Sequence, residues 1–347
     1  MHVVHRLIAA ALLLTGWAAD ATACSITKRG PFLTEVAQTS KACAHPLCGH
    51  IYATARPEAE DPKAPCPDDQ WQRLDVAVTT ALSSGGVVIL GEMHDNATHH
   101  LLQAAAIREF ALSAPQNKTA IVFEQLRDDQ QPGIDKFTAK QRSAEKVTVA
   151  DLKQAVDWQT SNWPDLYDPV FETVIAAKRP FYAGDVSRAE IMKAAKEGAR
   201  AVPKDASKRF ALDVPLGAKF NALSIKEIED AHCGALPKEA FDGMAFAQRY
   251  RDAHLADAVL KAVQQNGSAI LIAGTGHART DRAVPWYIRK RAPEKKVLSV
   301  MFVEVENDND DPETYVSRDP DGLPAADFLV FTQPAERADP CEKMRKK

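Results

Sequence analysis

The sequence predicts an α/β protein: a mostly parallel β-sheet flanked by helices, with a helical cap or insertion and a Cys-rich N-terminal arm. Short apolar segments rich in Val, Ile and Phe alternate along the chain with longer segments that have a helical hydrophobic period. This alternation is typical of β-α-β units, which build parallel sheets. With 347 residues, of which 45% are hydrophobic and 26% charged, the chain can bury one large core.

The N-terminus has the pattern of a secretory signal peptide over residues 1–23. A weakly basic stretch, residues 1–6, precedes an apolar run over residues 7–19, and Ala-Thr-Ala at 21–23 is a small-x-small cleavage site. The apolar run is shorter than the roughly 18 residues that cross a bilayer. We therefore expect export to the periplasm or envelope. Simple cleavage is favoured over a lipid anchor on Cys24, because Ala21 stands where lipoprotein signals usually carry Leu or a β-branched residue.

The cysteines indicate disulfide bonds, because their number is even and the chain is expected to enter an oxidising compartment. Four of them fall before residue 68, in a predicted N-terminal arm over residues 24–67 that ends in a Pro-rich linker at 56–67. We interpret these four as staples of a loop-rich arm, and the sequence leaves their pairing open. The six cysteines are Cys24, Cys43, Cys48, Cys66, Cys233 and Cys341.

Six short apolar segments are predicted to be strands covered on both faces. They are residues 87–90, 120–123, 180–183, 269–273, 297–305 and 328–331. Helical patterns precede or separate them, and Gly267 marks the end of the longest one. These are residues 69–83, 99–112, 169–178, 188–201 and 238–265. The elements define one domain over residues 68–335, with a cap or insertion at 202–237, a surface loop at 307–320 and a C-terminal tail at 336–347.

Ionisable side chains follow several of the predicted strands at their carboxyl ends. Glu92 and His94 follow the first strand. Glu124 and Asp185 follow the next two, and His277 follows a later one. In a parallel sheet these ends meet at one edge, where the connecting loops form the ligand crevice. The sequence therefore predicts a functional site built by Glu92, His94, Glu124 and His277.

Two histidines and two carboxylates allow two kinds of chemistry, and spacing does not separate them. Glu92, His94 and His277 can bind a divalent metal such as zinc, manganese or iron, whose bound water attacks an ester or amide. The same groups can also act as general acids and bases without a metal. The sequence has no Gly-x-Ser-x-Gly motif, so a serine hydrolase is disfavoured.

The apolar stripe of the long predicted helix passes through three polar residues, Gln248, Arg251 and Asp252. Polar groups on a core-facing stripe need partners. One interpretation is a buried network that fixes the helix on the sheet, and the other is contact with a ligand. The sequence leaves both open.

A series of short motifs runs through the chain in a fixed order. They are His-Pro-Leu-Cys-Gly at 45–49, Leu-Gly-Glu-Met-His-Asp-Asn at 90–96, His-His at 99–100, Phe-Glu at 123–124, Trp163, Tyr-Asp-Pro at 167–169, His-Cys-Gly at 232–234, Met244, Ala-Gln at 247–248, Arg-Asp at 251–252, Gly-Thr-Gly-His-Ala-Arg at 274–279 and Val-Pro at 284–285. In this order they resemble the ChaN family of haem-binding uptake proteins. That family belongs to the Tiki/TraB-like superfamily, whose mark is two Gly-x-x-His motifs with acidic residues. Residues 91–94 and 274–277 match the two motifs.

The resemblance implies an exported protein of the bacterial cell envelope that binds haem or a similar iron-bearing cofactor and serves haem or iron uptake. Haem, the expected small-molecule partner, needs an apolar or aromatic slot and a Tyr or His as axial ligand. A homodimer is a further expectation. The residues expected to bind the cofactor are Tyr167, Trp163, His99, His100, His232, Gln248, Arg251 and Arg279.

The alternative function is a metal-dependent hydrolase that uses the four residues at the strand ends, which the superfamily resemblance also allows. Haem capture requires an open apolar slot, whereas hydrolysis requires the Glu and His groups around a shared metal or water. A nucleic-acid partner is disfavoured, because the formal net charge is -4 and no block of basic residues is present.

Overall fold

The computed structural model describes residues 30–54, 67–111, 118–143, 145–161, 163–339 and 341–342 of the chain. The predicted signal peptide, Cys24 with its alternative lipid anchor, and Cys66 with most of the Pro-rich linker lie outside the described residues. Nearly all of the predicted sheet and helices lies within them.

Seven strands of the described residues form one sheet. They are β1 (Ile51–Ala53), β2 (Val87–Glu92), β3 (Ala120–Arg127), β4 (Phe181–Asp185), β5 (Ala269–Gly274), β6 (Val297–Glu304) and β7 (Phe328–Thr332). Their order in the sheet is β1-β7-β6-β2-β5-β3-β4. Neighbouring strands run parallel, except that β1 is antiparallel to β7. The prediction of a mostly parallel sheet is confirmed.

Helices flank the sheet, as the sequence predicts. They are α1 (Pro31–Ala42), α2 (Pro67–Ser83), α3 (Ala97–Ala106), α4 (Gln131–Arg142), α5 (Val149–Ala155), α6 (Asp168–Ala177), α7 (Arg188–Glu197), α8 (Lys204–Arg209), α9 (Ala218–Ala231), α10 (Phe241–Asn266), α11 (Thr275–Ala278) and α12 (Val284–Arg291). α3 begins at Asn96, whose side chain accepts the backbone N–H of Thr98 at 3.0 Å. α10 ends at Gly267, which adopts a positive φ of 97°. Within the described residues, no helix combines the length and the apolar character needed to cross a membrane.

The strands are buried on both faces, and their alternating side chains enter two hydrophobic clusters. Val88 and Leu90 belong to the cluster covered by α2, α3 and α6. Val87 and Ile89 belong to the cluster covered by α10 and α12. This is the period-two alternation of strand side chains. Because both faces are covered, polar groups reach solvent at the ends of the strands.

Several elements differ from the sequence prediction. The arm predicted as loop-rich contributes α1 and β1, and β1 extends the sheet beyond β7. α4, α5 and α12 were not predicted; α4 buries only Ile134 and Phe137, which hides its hydrophobic period. β3 continues to Arg127, so Glu124 lies inside the strand rather than after it. The predicted cap at 202–237 forms α8 and α9, and α9 packs against α10.

Two disulfide bonds lie in the described residues. Cys43 pairs with Cys48 in the N-terminal arm, five positions apart in sequence. Cys233, which follows α9, pairs with Cys341 in the C-terminal tail, 108 positions away. The second bond fastens the tail to the cap.

The C-terminal tail crosses the carboxyl edge of the sheet between β7 and the cap. Arg337 forms ion pairs with Asp95, after β2, at 2.7 Å and with Glu304, the last residue of β6, at 2.6 Å. The tail is thus anchored over two neighbouring strands before it reaches the cap.

Side chains occupy outward backbone groups on both edge strands of the sheet. At β4, Gln131 Oε1 accepts the backbone N–H of Ala183 at 2.9 Å, and His254 Nδ1 donates to the backbone carbonyl of the next residue at 3.0 Å. At β1, Gln70 Oε1 accepts the backbone N–H of Ala53 at 3.0 Å. Gln131 lies in α4 and Gln70 in α2, so helices supply an edge cap on each side.

Candidate functional site

The four predicted site residues meet at the carboxyl edge of the sheet. Glu92 is the last residue of β2, and His94 lies two positions further on. Glu124 lies in β3, and His277 lies in α11, directly after β5, which separates β2 from β3. The side chains form two hydrogen-bonded groups, one around Glu92 and one around Glu124.

Glu92 is the buried centre of the first group. Its Oε1 accepts hydrogen bonds from His94 Nδ1 at 2.7 Å and from the Tyr167 hydroxyl at 2.8 Å. The side-chain amide of Gln125 lies 3.4 Å from the same oxygen and donates to the Tyr167 hydroxyl at 3.2 Å. Burial raises the pKa of Tyr167, and the charge of Glu92 raises it further. The hydroxyl therefore stays protonated and donates to the carboxylate.

His94 is the member of this group that reaches solvent. Its side chain is 42% exposed, whereas that of Glu92 is 0% exposed. The edge of its ring meets Trp163, with 4.7 Å between ring centroids. Its Nε2 forms no hydrogen bond within the described part of the chain. Burial alone would lower the pKa of His94, but the hydrogen bond to Glu92 and the charge of Glu124 outweigh burial and raise it.

The second group is a buried network around Glu124. Its Oε1 accepts from Arg251 Nη2 at 2.7 Å and lies 3.2 Å from His277 Nε2. Its Oε2 accepts the backbone N–H of Gly274 at 2.7 Å. Arg251 also pairs with Asp185 at 2.7 Å. Burial alone would raise the pKa of Glu124, but the charges of His277 and Arg251 hold it well below its ordinary range.

Both ring nitrogens of His277 are engaged by carboxylates. Nδ1 lies 2.7 Å from Asp252 Oδ1, and Nε2 faces Glu124. Burial alone would lower the pKa of His277, but the charge of Glu124 and then that of Asp252 raise it to about 10, against the opposing charge of Arg251. His277 is therefore an imidazolium at neutral pH, and it joins α11 to β3 and α10.

The predicted metal ligands Glu92, His94 and His277 do not form a metal site. His277 already holds a carboxylate at each nitrogen, which leaves no lone pair for a metal. The described residues contain no group of three or more His, Cys, Asp or Glu side chains placed to hold a metal ion. The expectation of a divalent metal therefore finds no support in this donor set.

The structure places His99 and His100, which were expected to bind the cofactor, in the interior. The backbone N–H of Met93 donates to His99 Nδ1 at 2.9 Å, and the Thr332 hydroxyl lies 2.8 Å from Nε2. Burial lowers the pKa of His99 to about 3. His100 Nε2 donates to the backbone carbonyl of His94 at 3.1 Å. These two histidines hold the backbone around His94 in place.

The remaining residues expected to bind the cofactor lie around the same edge. Gln248 Nε2 lies 3.3 Å from His277 Nδ1. Arg279 pairs with Asp281 at 2.9 Å. His232 Nδ1 donates to the backbone carbonyl one helical turn earlier at 2.7 Å. On α10, the two residues after position 250 belong to the buried network, whereas Gln248 lines a cavity.

Gln125 is a site residue that the sequence analysis missed. It follows Glu124 in β3, and strand side chains alternate between faces, so Glu124 meets α10 whereas Gln125 meets Tyr167. The available signal was a polar residue inside an otherwise apolar strand, buried at 0% exposure.

Two cavities open at this edge, and both reach Gly276 and Glu227 of α9. The larger, about 480 Å³, has an apolar wall formed by Met93 and residues 301–303, with Arg279 at its rim. The smaller, about 260 Å³, lies between α9 and α10. Its lining includes Leu216, Ile228, His232, Ala245, Gln248 and Asp252.

A parallel sheet with buried acid-base groups and an apolar cavity at its carboxyl edge defines a ligand-binding α/β protein. The chain matches the family described as haem-binding uptake, Tiki superfamily, ChaN, over residues 78–288, and it belongs to that family. The resemblance seen in the motifs is thereby confirmed.

Solved structures show the same fold. ChaN of Campylobacter jejuni, described by its cofacial haem binding, is 18% identical, with a TM-score of 0.58 over 82% of this chain and 97% of that one. A mutant of erythromycin esterase EreC is 14% identical, with a TM-score of 0.40 over 84% of this chain and 86% of that one. A Bacillus cereus protein is 12% identical, with a TM-score of 0.39 over 87% and 97%. Among curated proteins, none matches this chain significantly.

Proposed function

We propose that this protein binds haem with His94 as the axial ligand, and that it serves haem or iron uptake in the cell envelope after export. Membership of the haem-binding uptake family supports the class of ligand. The N-terminal signal pattern supports export. The observation that carries the assignment to His94 is its half-exposed ring, whose Nε2 lacks a protein partner in the described residues.

The residues present fit a haem group. When bound, haem supplies an iron atom with an axial position for an imidazole nitrogen. His94 would fill that position, and Met93, next to it in the chain, begins the apolar wall of the 480 Å³ cavity. The macrocycle needs such a wall. Arg279 at the rim carries a guanidinium, the group that best matches a carboxylate such as a propionate.

The other predicted axial residues support the site rather than face it. Tyr167 is buried at 0% exposure, and its hydroxyl donates to Glu92. His99 and His100 are buried at 0% exposure, with both ring nitrogens close to polar partners. Trp163 packs against the edge of the His94 ring and limits its rotation.

The test is a titration of the mature chain, from Cys24 onward, with ferric haem while the Soret band is followed. We expect saturation near stoichiometric haem. In His94→Ala the Soret band should shift and the Kd should rise by tenfold or more, because one iron-ligand bond is lost. His232→Ala removes the other half-buried histidine at this edge and should behave as wild type. Non-saturating binding would overturn the haem proposal, and an unchanged His94→Ala would overturn the assignment of the ligand.

A second candidate function, hydrolysis without a metal, is favoured by the Glu92–His94 pair. The carboxylate holds Nδ1, which leaves Nε2 to take a proton from water. The water oxygen would bond to the carbonyl carbon of an ester, the bond to the alcohol would break, and the proton would return to the departing alkoxide. Release of p-nitrophenol from a nitrophenyl ester, insensitive to EDTA and lost in His94→Ala, is the expected result. A rate equal in wild type and variant would exclude this activity.

A further inference from the structure

We propose that Glu92 is a positioning residue that makes His94 an unusually strong electron donor and thereby selects ferric over ferrous haem. This inference rests on the proposed haem ligation by His94. It concerns which oxidation state the site prefers, and it follows from how the carboxylate and the imidazole are held.

The pair is rigid on one side and open on the other. The distance between His94 Nδ1 and Glu92 Oε1 is 2.7 Å, and the carboxylate side chain is fully buried. Residues two apart in extended chain project to the same side, which places the two groups in line. A hydrogen bond to a carboxylate in a poorly solvated interior is short and strong. His94 is thus held from behind while its outer face reaches solvent.

The hydrogen bond fixes the tautomer of His94. A carboxylate accepts and does not donate, so the Nδ1 proton lies between Nδ1 and Glu92, and Nε2 carries the free lone pair. A ligand histidine that donates its other N–H to a carboxylate becomes more basic. A more basic axial ligand stabilises the more highly charged ferric iron.

The two oxygens of Glu92 are used unequally. Tyr167 and His94 both donate to Oε1, and Gln125 approaches the same atom. Oε2 is buried and has no hydrogen-bond partner among the described residues. An unpaired buried acceptor costs free energy, so its retention calls for a reason. Here the uncompensated charge on Oε2 increases the pull of the carboxylate on the Nδ1 proton, which strengthens donation from Nε2.

A purely structural role for Glu92 predicts a different outcome. If the carboxylate only anchored Tyr167, replacing it would lower stability and weaken haem binding without changing the preference between oxidation states. The reduction potential of the bound haem separates these two roles, because it compares ferric and ferrous binding within one folded protein.

The experiment measures this potential by spectroelectrochemistry on the haem-loaded mature chain and its Glu92→Gln variant. The amide keeps the size of the side chain but removes its charge. We expect the preference for ferric over ferrous haem to fall about tenfold, which is a rise of 59 mV for one electron. Glu304→Gln is the matched control, because it also removes a carboxylate at this edge and lines the same cavity, but does not contact His94. Its potential should equal that of wild type.

Tyr167→Phe tests the same idea in the opposite direction and keeps Glu92. Loss of the hydroxyl removes one donor from Oε1, so the carboxylate pulls harder on His94 and the potential should fall. A potential that stays unchanged in both Glu92→Gln and Tyr167→Phe, with saturable haem binding intact, would overturn the inference alone. Absence of saturable binding in wild type would instead overturn the proposed function.

Discussion

Gly274 leaves room for the imidazole of His94: a Cβ at Gly274 would lie 2.6 Å from His94 Cε1 and 3.0 Å from Nε2. Real side chains do not approach this closely, so the ring and any larger residue at 274 exclude each other. The second Gly-x-x-His motif therefore starts with glycine partly because the histidine of the first motif fills the space.

Gly274→Ala should displace His94 and cost about 1–3 kcal/mol of stability, because the added methyl overpacks a buried contact. The haem-loaded variant should lose the Soret position of the histidine-ligated wild type. Gly276→Ala is the matched control, since a Cβ there meets nothing within 4 Å. A Soret band at the wild-type position in Gly274→Ala would contradict this account.

His277→Gln should reveal a pH-dependent contribution to stability. The pKa of His277 is raised from 6.5 to about 10: burial opposes the shift, and the charges of Glu124 and Asp252 cause it. Because the folded pKa is raised, the stabilisation is complete below about pH 6.5 and is lost as pH rises toward 10, by at most about 1.4 kcal/mol per pH unit. Urea unfolding at pH 6 and pH 9.5 should show a larger difference between wild type and variant at pH 6. An equal difference at both would refute the protonated state of His277.

Arg251→Met should destabilise the fold by about 3–5 kcal/mol, because it leaves two buried carboxylates, Glu124 and Asp185, without their cation. Lys226→Met removes a cation from an exposed pair with Asp230 in α9 and should change stability by less than about 1 kcal/mol. Urea midpoints measured at pH 7 compare the two. Similar midpoints in both variants would show that the buried network does not depend on Arg251.

Removal of the Cys233–Cys341 disulfide by serine substitution should cost about 4.7 kcal/mol, the loop-closure value for roughly 100 residues. The same relation gives about 2 kcal/mol for Cys43–Cys48, which closes a far shorter loop. Thermal unfolding of the two double variants provides the comparison. A larger loss from the shorter loop would indicate that local packing, rather than loop closure, decides these contributions.

The position of the site was predictable because strand ends are marked in the sequence. Apolar runs that stop at Glu92 and Gly274 place both residues at one edge of any parallel sheet. The strand order was not needed for this inference. What the pattern also indicated, and the structure shows, is that polar residues on the stripe of α10 have buried partners.

The division of labour between the two histidines was not predictable. Both Gly-x-x-His motifs look alike, yet His94 is half exposed and His277 is enclosed by two carboxylates. The difference arises from Asp252, which comes from α10 and meets His277 only after helix and sheet have packed. Sequence spacing carries no information on that contact, so the metal set that joined the two histidines was wrong.

The glutamines at the two sheet edges bear on how copies of the chain meet. An edge strand offers its outward backbone groups to any other strand, which is the usual start of aggregation. In the described part of the chain, Gln131 and Gln70 already occupy such a backbone N–H on β4 and β1, and β1 is three residues long. A neighbouring molecule therefore finds little free template at either end. The expected homodimer would then be joined by side chains, and the folded chain is protected against fibre growth at high concentration.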